Sequence, residues 1–132
     1  MLAKGKVLFE ARCALCHDFS GMGKPGQAPP LAGSEWVNTP GPGRIMRIAL
    51  SGVSGPIEVK GQQWNLSMPY GLTVDLVEKP EEMASLVSYV RQSWGNNAPL
   101  VTLEQAKAII EKVGTRTQSW TAEELKAVPE TE

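Results

Sequence analysis

Residues 13 to 17 read Cys13-Ala14-Leu15-Cys16-His17, and these five positions hold both cysteines and the one histidine of a 132-residue chain. Two thiols separated by two residues and followed at once by an imidazole form the attachment spacing of a c-type haem. The groups divide the chemistry between them: the thiols add across two vinyl groups of a porphyrin, and the imidazole binds iron from one face. With Cys and His each at roughly 2% of positions, such a pattern arises by chance in a chain of this size on the order of once in a thousand. A thioredoxin-like dithiol needs a βαβ context that this sequence lacks. A structural zinc site needs four ligands, and the segment offers three.

The composition bounds the remainder. At 42% hydrophobic the chain is one domain's worth of protein, and a haem would add a large apolar body to its core. The formal net charge of -1 supplies no basic field for nucleic acid. No run approaches the roughly 20 apolar residues needed to span a bilayer. The opening MLAKGKVLFEARC lacks the apolar core and small-residue cleavage site of a signal peptide.

Outward from the motif, residues 4 to 16 predict a helix with Val7, Leu8, Ala11 and Leu15 as its apolar stripe. From Asp18 to Gly43 the density of Gly and Pro predicts an ordered loop. Arg44 to Leu50 forms a second short helix, with Ile45, Ile48 and Ala49 on one face. Ile57 and Val59 alternate before Lys60-Gly61, and Trp64 and Leu66 alternate after it, which predicts a small hairpin. Pro80 opens a third helix, its first turn supplied with Glu81 and Glu82, its buried face with Met83, Leu86, Val87 and Val90. Capping boxes at Thr102/Gln105 and Thr121/Glu124 start two further helices. We therefore divide the chain into a haem domain over 1-97 and a helical extension over 98-132 that packs back on it, the alternative for the extension being a partly disordered linker.

Iron held by His17 needs a sixth ligand or an open face. With no second histidine, the soft donors are Met22, Met46, Met68 and Met83. Met22 sits in a flexible glycine loop, and Met46 and Met83 have helical spacings that suit a core. Met68 lies in a loop directly before Pro69, 51 residues beyond His17, far enough to reach the other porphyrin face. It is the expected axial ligand. Arg44, Arg47, Trp36 and Trp64 are candidates to meet the haem propionates, through guanidinium or indole N–H donors.

These residues resemble a class I cytochrome c. The shared features are a first helix with Gly5 and Phe9, then CALCH, a Pro-rich stretch ending PPLAG, a Met-Pro loop, and a helix carrying Leu86 and Tyr89. The resemblance implies an all-α fold of 3-5 short helices around one covalent haem c, with a small β-hairpin and a C-terminal helical extension. It also implies that the first and last family helices cross at a glycine. A Pro-rich-loop carbonyl, best matched by Pro29 with Pro30 one residue away, then accepts from the proximal imidazole. A narrower resemblance, over PPLAGSEW, RIMRIALSGVSGPIEV, MPYG, SYVRQSWGNNAP and TRTQSWTAEEL, is to cytochrome domains at the ends of larger bacterial dehydrogenase-like proteins, familiar from planctomycetes and verrucomicrobia. Those relatives often carry a histidine where this chain has Ser51, so no role of that histidine is carried over.

The resemblance implies single-electron transfer by a haem with His/Met ligation, in a carrier or relay domain of a larger oxidoreductase rather than in an enzyme. The resemblance also implies extracytoplasmic haem attachment, in the periplasm or another such space; set beside an opening that lacks a signal peptide, this leads us to expect a mature fragment or an excised domain. Its partners would be redox proteins or a fused catalytic domain, and the chain itself is expected to be monomeric. The other readings are a haem with an open sixth position for gas or peroxide, and a haem that only staples the fold.

Overall fold

The computed structural model describes residues 1–132. The chain opens with α1 (Leu2–Arg12), which ends where Cys13 leaves ideal helix geometry at φ -119 and ψ -30, and one further turn, α2 (Ala14–His17), presents the motif. The buried face of α1 is Gly5, Leu8 and Phe9. The predicted stripe is corrected at three positions, for Val7 is 62% and Leu15 80% exposed, and Ala11 is exposed as well. The cause is the crossing with α4 (Pro80–Gln92), the most extensive helix–helix contact in the molecule. There Gly5 lies against Ser85 and Tyr89 so tightly that a Cβ on it would sit 2.7 Å from the Tyr89 Cβ. The absent side chain sets which face turns inward, and a hydrophobicity pattern does not register it.

Beyond the contact, Phe9, Tyr89 and Trp94 pack as an aromatic trio with ring centroids 5.0 to 5.7 Å apart. Helix α4 carries its predicted apolar residues Met83, Leu86, Val87 and Val90 inward. Between them the chain runs through the Gly- and Pro-rich loop and then α3 (Gly43–Ser51), which buries Ile45, Met46, Ile48 and Leu50. The hairpin follows as β1 (Ile57–Val59) and β2 (Gln62–Trp64), paired antiparallel with Ile57 opposite Trp64. Its two-residue connection, Lys60-Gly61, has positive φ at both positions, 53 and 79, as a type I′ turn requires. A 3₁₀ turn over Val74–Glu78, not read from the sequence, links the Met-Pro loop to α4.

After α4 come α5 (Leu103–Val113) and α6 (Ala122–Lys126), both opened by the capping boxes at Thr102 and Thr121. Val101, Ala106, Ile109, Trp120 and Leu125 belong to the same hydrophobic cluster as Phe9, Ile45 and Val87. Arg91, 1% exposed, binds across the join: its guanidinium donates to the carbonyls of Val37, Pro40 and Gly41 on one side and of Pro99 on the other. The fold is thus mainly helical with one small hairpin, six α-helical segments in all, two of them single turns.

Candidate haem site

One apolar cleft opens in the molecule, and Cys13, Cys16, His17, Pro29, Trp64 and Met68 all line it. Its floor and walls are largely hydrophobic, from Phe9 on α1, Ile45 and Ile48 on α3, and Leu86 and Val90 on α4.

His17 ends α2 and is 9% exposed. Its Nδ1 lies 3.0 Å from the Pro29 carbonyl oxygen. A carbonyl can only accept, so Nδ1 carries the hydrogen and Nε2 keeps its lone pair for a metal. Burial pushes the imidazole below its ordinary value, with the Pro29 carbonyl pulling the other way, and this favours the neutral form that coordinates iron. The Pro29 carbonyl is itself held from behind. Gly23 donates to the His17 carbonyl at 3.0 Å, and a Cβ on Gly23, whose φ is 76, would press on Pro29 and Pro30. Asn96 then ties the loop to α4, accepting from the Gly33 amide at 2.8 Å and donating to the carbonyls of Leu31 and Val90.

Before a haem is attached, burial raises the Cys13 thiol to about 11 against the opposing pull of Arg12. Met68 also lines the cleft, and its backbone exchanges two hydrogen bonds with Val53 at 2.7 and 3.2 Å. The other candidate methionines are elsewhere: Met46 and Met83 are fully buried in the core, and Met22 is 58% exposed on the surface.

The propionate candidates separate. Trp64 lines the cleft and its indole Nε1 is buried without a hydrogen-bond partner. Trp36 also lines the cleft, but its Nε1 donates to the Glu58 carbonyl at 2.8 Å. Arg44, expected at the haem, is corrected: its guanidinium donates to the carbonyls of Val128 and Lys126 and pairs with Glu130. Arg47 likewise donates to the Gly43 carbonyl and pairs with Glu132. Residue type alone made both cations candidates, whereas the C-terminal groups they bind lie more than eighty residues away. The cation that does line the cleft is Arg12, which sequence reasoning missed although it directly precedes Cys13. It forks onto Asp75 at 2.6 and 2.7 Å and donates to the Leu72 carbonyl at 3.1 Å. Arg12 thereby ties the attachment helix to the loop that follows Met68.

A two-thiol, one-imidazole edge, an apolar slot and an orphaned indole donor suit a planar apolar macrocycle with acidic substituents. The family model described as cytochrome c matches residues 2–94. The chain belongs to the cytochrome c family. Its relatives include cytochrome c-552 of Thermus thermophilus, 37% identical over 91 residues that make up 65% of this chain and 65% of that protein. The cytochrome c subunit of a quinone alcohol dehydrogenase from Gluconobacter oxydans is 34% identical over 96 residues, 72% of this chain but 19% of that subunit. The cytochrome c domain therefore spans less than two thirds of the length of these relatives. It is an electron-transfer module of class I type that binds haem c, with Cys13 and Cys16 supplying the thiols. No helix in it is long and apolar enough to cross a membrane.

Proposed function

We propose that this domain is a one-electron carrier whose iron is held between His17 Nε2 and Met68 Sδ. The observation that carries the reading is that His17 and Met68, alone among the histidine and methionine side chains, line the one apolar cleft. Haem bound there supplies ferric/ferrous chemistry, and thioether ligation favours the ferrous state relative to two nitrogen donors. The residues do the rest. Pro29 fixes the imidazole tautomer, Cys13 and Cys16 retain the group in both oxidation states, and the apolar walls exclude water. Trp64 Nε1 donates to a propionate.

We place the domain outside the cytoplasm and assign it no reaction of its own. It relays electrons between redox proteins, or from a catalytic domain of the same oxidoreductase, a reading supported by its likeness to part of the alcohol dehydrogenase subunit. A tethered donor would act at high effective concentration. The test is the ferric absorption spectrum of the haem-loaded protein. Low-spin iron with the weak sulfur-to-iron charge-transfer band, abolished in Met68→Ala, is the expected result. A high-spin wild-type spectrum, or a band that survives Met68→Ala, removes Met68 from the iron.

A further inference from the structure

The C-terminal extension reaches the Met68 segment directly. Val53 sits in the middle of three short extended stretches: it bridges Met68 in antiparallel fashion on one side and Trp120 in parallel on the other. On the Trp120 side the bonds are Trp120 N–H to the Gly52 carbonyl at 3.0 Å and Ser54 N–H to the Trp120 carbonyl at 2.9 Å. Ser119 goes further, its hydroxyl donating to the Met68 carbonyl at 3.3 Å. The Met68 carbonyl thus accepts from Val53 on one strand and Ser119 on the next.

The strap holding these two residues is itself built. Arg116 donates through Nε to the Gln118 carbonyl at 2.8 Å and through Nη2 to the Ser119 carbonyl at 3.1 Å, and it pairs with Glu124 at 3.1 Å. Its guanidinium lies 3.6 Å from the centroid of the Trp120 ring. The Ser51 hydroxyl returns from the end of α3 to the Arg116 carbonyl. At the join with the Met-Pro loop, a Cβ on Gly52 would come within 2.9 Å of the Pro69 backbone, so the stretches meet without slack.

We infer that Ser119 and Trp120, on the C-terminal strap, are positioning residues for the axial thioether: they complete the ladder that fixes the Met68 backbone and so the approach of its sulfur to iron. The inference rests on the His17/Met68 reading. A thioether is a weak, neutral ligand on a flexible stem, so its bond depends on how closely the backbone fixes its reach. Had the extension been a mere cover for the core, side chains alone would have sufficed; instead the Ser119 hydroxyl bonds the Met68 carbonyl, and Trp120 exchanges two backbone bonds with the Gly52–Ser54 stretch that pairs with Met68.

The experiment uses the full-length haem-loaded protein with Ser119→Ala, Ser119→Thr and Trp120→Ala. Two readouts are taken: the ferric sulfur-to-iron band with the reduction potential, and amide exchange at Met68 and Val53 by NMR. In Ser119→Ala the Met68 carbonyl loses one of its two donors and the Met68 and Val53 amides keep their own partners, so we expect the loosened ladder to quicken exchange at both amides by at most about tenfold, the scale of one lost hydrogen bond. The band weakens and the potential falls, while exchange at His17 is unchanged. Ser119→Thr keeps the hydroxyl and restores wild-type values. Trp120→Ala keeps both backbone bonds and removes the ring on which Arg116 stacks, so it tests the seating of the strap and moves the band and potential in the same direction. A wild-type band and potential retained in both Ser119→Ala and Trp120→Ala overturn the inference while leaving Met68 on the iron. A wild type without the band overturns the ligation reading, and the inference falls with it.

Discussion

Trp64 shows how much one nitrogen atom carries. A buried indole N–H without an acceptor is destabilising by about 1–3 kcal/mol, and of the two such donors in the molecule, on Trp64 and Trp120, only Trp64 belongs to a residue that lines the cleft. In the cleft wall that donor becomes useful once a carboxylate arrives. Trp64→Phe preserves an aromatic ring and deletes the N–H, so in the haem-loaded protein we expect a stability loss of about 1–2 kcal/mol by denaturant titration. The reduction potential also falls, because an unpaired propionate charge favours ferric iron. No change in either quantity would place the propionates elsewhere. The Arg12–Asp75 fork carries a pH signature. Its guanidinium hydrogen bonds hold the Asp75 carboxyl at about 2 against an ordinary 3.8. Because the folded value is the lower one, the pair's stabilisation is complete above the unfolded value and is lost as pH falls from 3.8 through about 2. Asp75→Asn should therefore lower thermal stability at neutral pH and flatten the acid limb of the melting-temperature profile across that window.

Elements explain which features follow from local pattern and which do not. The helix over α4, both capping boxes and the hairpin with Lys60-Gly61 were legible because each is decided within a few residues: a Pro at the first turn, a Thr with its Gln or Glu three residues on, a turn needing positive φ twice. The inward face of α1 was not legible from hydrophobic periodicity, since it is decided by a neighbour eighty residues distant and by Gly5, which has no side chain to score; only the family resemblance pointed to Gly5 and Phe9. Arg44 was expected at the cleft and Arg12 was overlooked for the same reason: the sequence shows a cation and not its partner. The motif, the Met-Pro step and Trp64, singled out by their side-chain chemistry, do line one cleft. The helix crossing gives its own prediction. Gly5→Ala drives a methyl into the Ser85 carbonyl and the Tyr89 Cβ. Overpacking of this kind is destabilising by about 1–3 kcal/mol, visible as a lower urea midpoint and weakened near-UV dichroism from the Phe9, Tyr89 and Trp94 trio. An unshifted midpoint would mean that α1 and α4 separate at no cost.

At the scale of the whole molecule the question is whether the C-terminal extension is a second unit or part of the first. Three connections argue for one cooperative body. Arg91 spends its guanidinium on carbonyls from both sides of the join, and with no carboxylate among its acceptors, burial lowers its pKa. Glu132 at the chain's end pairs with Arg47 on α3 and with Lys112 on α5. Leu125 on α6 is fully buried in the cluster that also contains Phe9 and Leu86. Leu125→Ala leaves a void of several methyl groups at that site, and such changes are destabilising by about 2–5 kcal/mol. If the extension were a separate unit, the loss would appear only in its own unfolding, and the haem band and the aromatic dichroism would keep their wild-type midpoint. If the body is single, far-UV dichroism, near-UV dichroism and the sulfur-to-iron band all move together to one lower denaturant concentration. We expect the second result, because the strap at Ser119 and Trp120 couples Leu125, one turn further on, to the backbone of Met68, so loosening α6 loosens the iron's weaker ligand.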